Sequence, residues 1–499
     1  MVLSVLWGAF GLSCLVFIAW LFSNNRWRVD WKLVLTGIAL QIAFAAVVLL
    51  GHKMIPTYES ILGAMSLKEI WRPLILVLSI SAIVLYLASG RLAAQANTLR
   101  LGGHIALGLA AVLGLPLFAE GFDKLGHAFV QLSSYTQKGS ELVLGDAARA
   151  DKLGFIFAFQ VLPTVIFFAA FMAILYHLGV MQVIVRAMAI AITKVMRVSG
   201  AETTSVCASI FIGQTEAPLT VRPYISKMTE SELLTMMIGG MAHIAGGVMI
   251  AYITMLGGPD PEQQAIFAKH FLAASIMAAP ATLLIAKILV PETGTPLTRG
   301  TVNVEVEKTA ANVIDAAAAG ASDGMKLAIN IAAMLLAFTA LIALINAMIG
   351  WFGDFAGINA WLSEGKDAPV SLSLNMILGE LLRPVAFLIG VPWQEANTAG
   401  GLIGQKIVLN EFIAYGELAK VPIGEGAGMI SSHTKLILTY ALCGFANFAS
   451  IAIQIGGIGG LAPDRRTDLA RFGLRAVLGG SIATFMTATI AGVLSQFAA

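Results

Sequence analysis

The feature that most constrains this chain is its series of long apolar segments, each close to the ~20 residues that an α-helix needs to cross a bilayer. The clear segments run at about 3–22, 31–51, 72–90, 155–179, 232–256, 265–290, 326–350, 432–458 and 471–497. A weaker one lies at 102–119, where Gly and Ala replace much of the Leu and Ile. We therefore predict an all-α polytopic membrane protein with about ten transmembrane helices.

Composition excludes several other classes of protein. Charged residues make up 12% of the chain, about half the ~25% that is typical of soluble domains. The net charge of +2 does not indicate a nucleic-acid partner. The three cysteines lie far apart, without metal or redox spacing. The chain also lacks a nucleophile–base arrangement and a phosphate-binding Gly loop, so we expect neither an enzyme nor a cofactor.

Two apolar segments, at 201–225 and 376–416, are interrupted by polar residues and proline. Irregular backbone at membrane depth is tolerated where it lines a cavity, so each segment is predicted to be a re-entrant helical hairpin. Each is preceded by one span and followed by two, at 155–290 and again at 326–497. Three full crossings in each copy would make the second copy inverted, and inverted repeats with broken helices are typical of secondary transporters.

The repeats divide the chain into four regions. We expect N-terminal scaffold helices at 1–154, with an extra helix pair near 70–119, and a first repeat at 155–293. A cytoplasmic loop and interfacial helix follow at 294–325, and a second repeat occupies 326–499. Polar faces at helical spacing predict further interfacial helices, at 56–69, 120–137 and 180–200.

Polar side chains stand inside both hairpins and one later span. A carboxylate or amide in hydrocarbon costs several kcal/mol unless it faces a partner or a water-filled cavity. The sequence therefore predicts a polar site at mid-depth. The structural alternatives are that the carboxylates cap helix ends, which favour negative charge at their N-termini, and that the amide and hydroxyl join helices. The residues concerned are Gln214, Thr215, Glu216, Asn410, Glu411, Asn447 and Ser450.

From Phe155 to its end, the chain resembles the concentrative nucleoside transporter family. Five motifs carry the resemblance, in order: Gly213-Gln214-Thr215-Glu216-Ala217-Pro218, Val221-Arg222-Pro223-Tyr224, Gly246-Gly247-Val248, Asn410-Glu411-Phe412-Ile413-Ala414-Tyr415 and Ala441-Leu442-Cys443-Gly444-Phe445-Ala446-Asn447-Phe448. The resemblance implies a bacterial inner-membrane, multi-pass importer of pyrimidine and purine nucleosides. It also implies a homotrimer that works by alternating access. A channel is the alternative from another class, but channels usually carry rings of repeated charge.

The resemblance also implies a role for each site residue. Gln214, Thr215 and Glu216 would bind the nucleobase, and Val248 and Leu327 would form apolar walls around it. Glu411, Asn447 and Ser450 would bind the ribose hydroxyls, and Phe445 would pack on the nucleoside. The chemistry agrees, because hydroxyls suit a carboxylate acceptor and a base edge suits an amide. For Phe445 the structural alternative is ordinary core packing.

The chain departs from the family at the expected sodium site. That site uses two backbone carbonyls and two side-chain oxygens, and the matching positions are Ser209, Ile212, His243 and Ile244. Imidazole offers nitrogen, whereas hard cations prefer oxygen ligands. Since the ordinary pKa of histidine is near 6.5, His243 could instead load and release a proton. We expect H⁺ as the coupling ion. The alternative is Na⁺ held by Ser209, Ile212 and Ile244, with His243 structural.

Overall fold

The computed structural model describes residues 2–64, 77–78, 81, 96–154, 156–301, 310–364, 369–424, 426 and 428–498. These residues are mostly helical, and we number the α-helices of eight or more residues. They are α1 (Val2–Leu21), α2 (Trp31–Ala64), α3 (Ala96–Leu144), α4 (Leu162–His177), α5 (Val180–Met196), α6 (Gly200–Ser209), α7 (Glu230–Ala242), α8 (Gly246–Gly257), α9 (Pro261–Leu289), α10 (Val313–Phe355), α11 (Leu374–Leu388), α12 (Ala396–Val408), α13 (Glu411–Leu418), α14 (Ser432–Ala441), α15 (Phe448–Leu461) and α16 (Arg466–Ala498).

Shorter α-helices and several 3₁₀ helices connect some of these elements. The α-helical ones are Ala150–Leu153, Phe157–Gln160 and Ile358–Ser363, and the 3₁₀ helices are Arg26–Arg28, Gly145–Ala148, Ala217–Lys227 and Pro463–Arg465. Within the described residues, β-structure is limited to two isolated bridges.

Seven segments of the described residues are long and apolar enough to cross a bilayer. They are Val2–Leu21, Trp31–Gly51, Phe157–His177, Glu230–Gly257, Pro261–Leu289, Val313–Phe355 and Pro463–Phe497, and α15 is a shorter apolar helix. These segments overlap the spans predicted at the same places. The predicted span at 72–90 lies almost entirely outside the described residues, so the number of about ten transmembrane helices stays a prediction.

Several segments that we predicted to be interfacial helices are parts of longer helices in the structure. The first turns of α10 contain the run Ala316–Ala319, and alanine has the highest helix propensity. The helix therefore runs unbroken from Val313 into the predicted span, so residues 313–325 are its first turns and not a separate helix. Residues 120–137 likewise belong to α3, and residues 56–64 belong to α2. Polar side chains do not interrupt backbone hydrogen bonding, so polarity alone does not end a helix.

The chain divides into two compact units. The smaller comprises Ala43–Leu125 with Leu494–Ala499. Inside it, Phe44 makes edge-to-face contacts with Phe118 and Phe122, with ring centroids 6.0 and 5.6 Å apart. The larger unit comprises Met1–Ile42 and Gly126–Val493, and it contains the first predicted repeat and the second as far as Val493.

Glycines bring α4 and α10 into close contact in the larger unit. A Cβ atom at Gly324 of α10 would lie 2.8 Å from the Cα atom of Ile166 in α4. One at Gly320 would lie 2.6 Å from the Cβ atom of Ala173. Small residues at such contacts let two helix backbones approach closely, as in many membrane helix pairs.

Both repeats contain an interrupted helical segment at the predicted hairpin. In the first, α6 is followed by irregular backbone at 210–216 and then by the 3₁₀ helix Ala217–Lys227. In the second, only Leu409 and Asn410 separate α12 from α13. The predicted hairpin at 376–416 also included α11, but α11 is a separate helix that precedes α12 as α5 precedes α6. Re-entry of these segments into the bilayer stays a prediction.

Each repeat also contains a broken helix, and the two breaks cross in the core. Residues 243–245 separate α7 from α8, and residues 442–447 separate α14 from α15. A Cβ atom at Gly444 would lie 2.7 Å from the carbonyl oxygen of Met241. The backbone N–H of Phe445 donates to the carbonyl of His243 at 3.3 Å. Only glycine fits this crossing without moving the backbone.

Candidate functional site

A cavity of about 840 Å³ lies in the larger unit. Its lining comes from α4, α8, α10 and α15, from both hairpin tips and from the second helix break. All the residues predicted to bind substrate line it: Gln214, Thr215, Glu216, Val248, Leu327, Glu411, Phe445, Asn447 and Ser450. The structure thus brings these residues together, while the contact of each with a substrate stays a prediction.

Glu411 is the first residue of α13 and is 4% exposed. Its Oε1 atom accepts a hydrogen bond from the Tyr252 hydroxyl at 2.9 Å. Its Oε2 atom accepts one from Asn447 Nδ2 at 3.1 Å. Asn447 itself is held because its Oδ1 atom accepts from the N–H of Ser450 at the start of α15. A cap at one broken helix therefore orients the carboxylate on the neighbouring hairpin.

A second chain of hydrogen bonds joins the first hairpin tip to α15. Gln214 Nε2 donates to Ser450 Oγ at 3.0 Å, and Gln214 Oε1 accepts from Gln454 Nε2 at 3.1 Å. Gln454 is fully buried and also donates to the carbonyl of Met237 at 2.9 Å. These bonds hold the Gln214 side chain in one orientation on the cavity wall.

We call the residues linked by these two chains of hydrogen bonds the polar wall; they are Gln214, Tyr252, Glu411, Asn447, Ser450 and Gln454. The polar wall retains hydrogen-bonding capacity for a ligand. A carboxylate has about four lone-pair sites and an amide nitrogen has two hydrogens. Glu411 accepts from two protein donors, and Asn447 uses one amide hydrogen toward Glu411. The Ser450 hydroxyl accepts from Gln214, which leaves its own hydrogen for another acceptor. The wall can therefore accept from hydroxyl groups and also donate to a polar ligand.

The rest of the first hairpin tip faces the cavity more openly. Thr215 Oγ1 donates to Glu216 Oε1 at 2.9 Å, and the Glu216 side chain is exposed. A Cβ atom at Gly213 would lie 2.3 Å from Glu216 Oε2, so glycine makes room for that carboxylate. Val248 is almost fully buried, whereas Leu327 is 37% exposed.

The four predicted cation-coupling residues adjoin this wall, and of them only Ile212 lines the cavity. Ser209, His243 and Ile244 are buried. Ser209 Oγ donates to the carbonyl of Ser205 at 3.0 Å, which leaves its lone pairs free. The carbonyls of Ile212 and Ile244 accept no hydrogen bond from any residue that the structure describes. These oxygens fit a hard cation.

His243 is 1% exposed and directly follows α7 as its C-cap residue. Its Nδ1 atom lies 2.7 Å from the carbonyl of Gly239. A carbonyl only accepts hydrogen bonds, so Nδ1 carries the hydrogen and Nε2 has a free lone pair. Nε2 is buried without a hydrogen-bond partner among the described residues. It is therefore an unsatisfied acceptor to which a proton could bind. Within the same described residues, no group of three or more His, Cys, Asp and Glu side chains could hold a metal ion.

Sequence reasoning missed two residues of the polar wall. Gln454 shares a helix face with Asn447 and Ser450, because residues three, four and seven positions apart lie on one side of a helix. That spacing could have revealed it. Tyr252 gave no such signal, because tyrosine is common in apolar cores. Its bond to Glu411 depends on the packing of α8 against α13.

Three family models match the chain. The N-terminus and C-terminus models of the Na⁺-dependent nucleoside transporters match residues 10–66 and 270–492. A model described as nucleoside recognition, named Gate, matches residues 158–259. The cavity-lining residues on both hairpins and both broken helices fall within the last two matched regions.

Relatives of similar length are also known. An uncharacterized transporter of Haemophilus influenzae is 39% identical over 492 residues, which cover 98% of each chain. The nucleoside permease NupC of Helicobacter pylori is 35% identical, covering 99% of this chain and 98% of its own.

Solved structures of CNTnw resemble the whole chain. CNTnw in an inward-facing substrate-bound state is 37% identical, with a TM-score of 0.73, and covers 99% of this chain and 98% of its own. A doubly substituted CNTnw in an outward-facing state is also 37% identical, with a TM-score of 0.75, and covers 99% of both chains.

These matches define a multi-pass membrane transporter of the Na⁺-dependent nucleoside type. The chain belongs to the concentrative nucleoside transporter family, and the resemblance seen in its motifs is confirmed. This is a family of transporters and not of enzymes.

Proposed function

We propose that the protein imports nucleosides by alternating access, using the energy of a cation gradient. The observation that carries this proposal is the polar wall, where groups from both hairpins and α15 meet on one cavity. The cavity volume is within the ~300–1,000 Å³ of typical small-molecule sites. Membership of the family supports nucleosides as the substrate class.

Within the cavity, we assign the ribose to the Glu411 end of the wall. Glu411, Asn447 and Ser450 are linked by hydrogen bonds and can bind adjacent hydroxyls. The base would lie toward Gln214, Thr215 and Glu216, with Val248 and Leu327 as apolar neighbours. Phe445 would pack on the nucleoside. A site that binds both parts should discriminate strongly against the free base, because its polar groups would be left unpaired.

For the coupling ion, we propose H⁺ at His243, with Na⁺ as the alternative. The unpartnered Nε2 atom supports a proton site. The unpartnered carbonyls of Ile212 and Ile244, beside the Ser209 hydroxyl, support a sodium site. The Na⁺-dependent family model also supports sodium. In both cases a positive charge would join the first hairpin to the α7–α8 break and favour substrate binding.

Counterflow in proteoliposomes tests the transport proposal and the coupling ion together. Radiolabelled uridine and adenosine are supplied while Na⁺ and pH gradients are imposed separately. Proton coupling predicts that uptake rises as external pH falls and is unchanged when choline replaces Na⁺. Uptake that needs Na⁺ and ignores pH would support the alternative. Absence of saturable uptake under every gradient would contradict the transporter assignment.

A double substitution tests the ion site from the other direction. His243→Ser with Ser209→Asn should rebuild an oxygen set around the carbonyls of Ile212 and Ile244. If H⁺ is the native ion, this variant should shift uptake toward dependence on Na⁺. Ser209→Asn alone is the control, because it keeps the imidazole. If neither variant changes the ion dependence of uptake, these positions do not select the ion.

We also propose a bacterial inner-membrane location and a homotrimer, which follow from the family. Native mass spectrometry of the detergent-solubilised protein would give the number of subunits. A stable monomer that retains uridine binding would contradict the trimer.

A further inference from the structure

A lysine side chain is buried beside the substrate wall. Lys406 lies in the last turn of α12 and has no exposed surface. Its Nζ atom lies 3.5 Å from the carbonyl oxygen of Ala441 and 3.3 Å from Thr484 Oγ1. No carboxylate of the described part of the chain lies within ion-pair distance of it. Ionisable groups in membrane interiors are costly to bury and usually have a function.

The two oxygen atoms near the Lys406 ammonium, from Ala441 and Thr484, are of the kind that bind small cations. Ala441 is the last residue of α14, so its carbonyl is at the negative end of a half-helix. The Thr484 hydroxyl donates its hydrogen to the carbonyl of Ser481, so a lone pair faces the ammonium. Carbonyl and half-helix C-terminal oxygens of this type coordinate coupling ions in secondary transporters.

The position of Lys406 corresponds to the candidate cation position of the first repeat. There, Ser209 ends the first helix of the hairpin, and His243 and Ile244 directly follow the first half of the broken helix. In the second repeat, Lys406 is in the last turn of the first hairpin helix, and Ala441 ends the first half of the broken helix. The two repeats therefore place positive charge, or a site for it, at matching points.

The positive charge of Lys406 can balance the negative charge of the Glu411 carboxylate. Glu411 is buried, and among the residues described no Lys or Arg lies within ion-pair distance of it. Lys406 is in the last turn of α12 and Glu411 begins α13, so the two charges lie on either side of the second hairpin tip. Opposite charges attract each other strongly in a low-dielectric interior. Together they make the buried tip electrically neutral.

We infer that Lys406 is a tethered cation, a side-chain ammonium that replaces a bound ion in the second repeat and offsets the negative charge of Glu411. It is a positioning residue, because it acts through Glu411 and does not line the cavity. Its consequence for uridine rests on the proposed function. Its consequence for stability does not.

The inference can be tested by substituting Lys406 and then supplying a soluble amine that could occupy the place of its ammonium group. Lys406→Ala removes the ammonium and leaves space, whereas Lys406→Met fills the same space with an apolar chain. In purified full-length protein, we expect both to bind uridine at least ~10-fold more weakly than wild type. Methylammonium chloride, compared with choline chloride at equal concentration, should raise the thermal unfolding midpoint and restore uridine binding only in Lys406→Ala. Lys420→Ala is the control, because that lysine is exposed and pairs with Glu417.

A comparison of the unfolding temperatures of single and double variants tests the inference even if uridine binding is lost for other reasons. If the two charges compensate each other, Lys406→Met with Glu411→Gln should unfold at a higher temperature than Lys406→Met alone. Equal or lower stability of the double variant would overturn the inference. So would wild-type uridine binding by Lys406→Ala, or a failure of methylammonium to act on it. A wild-type protein that binds no nucleoside would contradict the proposed function, and the comparison of unfolding temperatures would still test Lys406.

Discussion

Two buried tyrosines provide a matched test of how the Glu411 carboxylate is held. Tyr252 donates to Glu411 at 2.9 Å, and Tyr415 donates to the backbone carbonyl of Thr439 at 2.8 Å. Both side chains are fully buried, and their ring centroids are 4.6 Å apart in one aromatic cluster. Replacing either by phenylalanine removes one hydroxyl and keeps the ring, so the two changes differ mainly in the acceptor that is left.

The structure predicts unequal costs. A hydrogen bond to a charged group contributes about 1.5–3 kcal/mol, whereas a neutral one contributes about 0.5–1.5 kcal/mol. Tyr252→Phe should therefore lower the thermal unfolding midpoint more than Tyr415→Phe. It should also weaken uridine binding by ~10-fold or more, because Glu411 loses one of the two side chains that donate to it among the described residues. Tyr415→Phe should leave uridine affinity unchanged.

Isothermal titration of uridine into purified protein, together with thermal unfolding in the same detergent, measures both effects. A loss of affinity shared equally by the two variants would refute the reasoning, since it would show that the aromatic cluster and not the hydroxyl matters. Wild-type affinity in Tyr252→Phe would show that this bond does not prepare the carboxylate for substrate.

Three further predictions concern the wall and the crossing behind it. Glu411→Gln should reduce uridine affinity by ~10- to 100-fold in folded protein, and uracil should compete poorly with uridine in uptake assays; equal competition would contradict the ribose site. Gly444→Ala should lower the unfolding midpoint sharply, because its Cβ atom would lie 2.7 Å from a backbone carbonyl, whereas Gly456→Ala, in open space, should not. Both adenosine and uridine should be transported, because the cavity of about 840 Å³ has room for a purine ring; strict exclusion of adenosine in counterflow would show this to be wrong.

The sequence predicted which residues line the cavity better than it predicted the hydrogen bonds between them. Polar residues such as Glu411 and Asn447 stand out in apolar spans, because burial there requires a partner or a cavity. That argument selects residues without knowledge of the packing. It could not find the bond from Tyr252, which depends on how α8 meets α13. It also could not predict that one carboxylate would be prepared by donors from two different elements.

Helix boundaries were predicted less well where polarity and helix propensity disagree. Residues 313–325 are polar enough to suggest an interfacial segment, but the alanine run continues the helix through them. The crossing of the two broken helices is also absent from any local pattern. The need for glycine at position 444 follows from the carbonyl of Met241 beside it, and that contact is known only from the structure.

The hydrogen bonds of the larger unit suggest which elements move together. The polar wall joins α15 to both hairpins through Gln214 and Asn447. α16 is tied to α7 by the ion pair between Arg471 and Glu230, at 2.7 Å. Arg465, directly before α16, forms an ion pair with Asp468 of α16 and donates to the carbonyl of Ile225 in the 3₁₀ helix of the first hairpin, at 3.3 Å. Among the residues described, no hydrogen bond joins α4 or α10 to these elements. Sliding along α4 and α10 would therefore break few polar contacts.

A disulfide between α15 and α16 tests this division. A Cβ atom at Gly473 would lie 3.5 Å from the Cβ atom of Ile451, within the ~3.5–4.5 Å of natural disulfides. If both helices belong to one moving unit, Ile451→Cys with Gly473→Cys should form the bond under oxidising conditions and still transport uridine. Each single substitution is the control for loss of packing. If oxidation abolishes uptake in the double variant and reduction restores it, the two helices must separate during transport. In that case α16 would stay fixed together with α4 and α10. The contacts made by Arg471 and Arg465 would then have to break in every transport cycle.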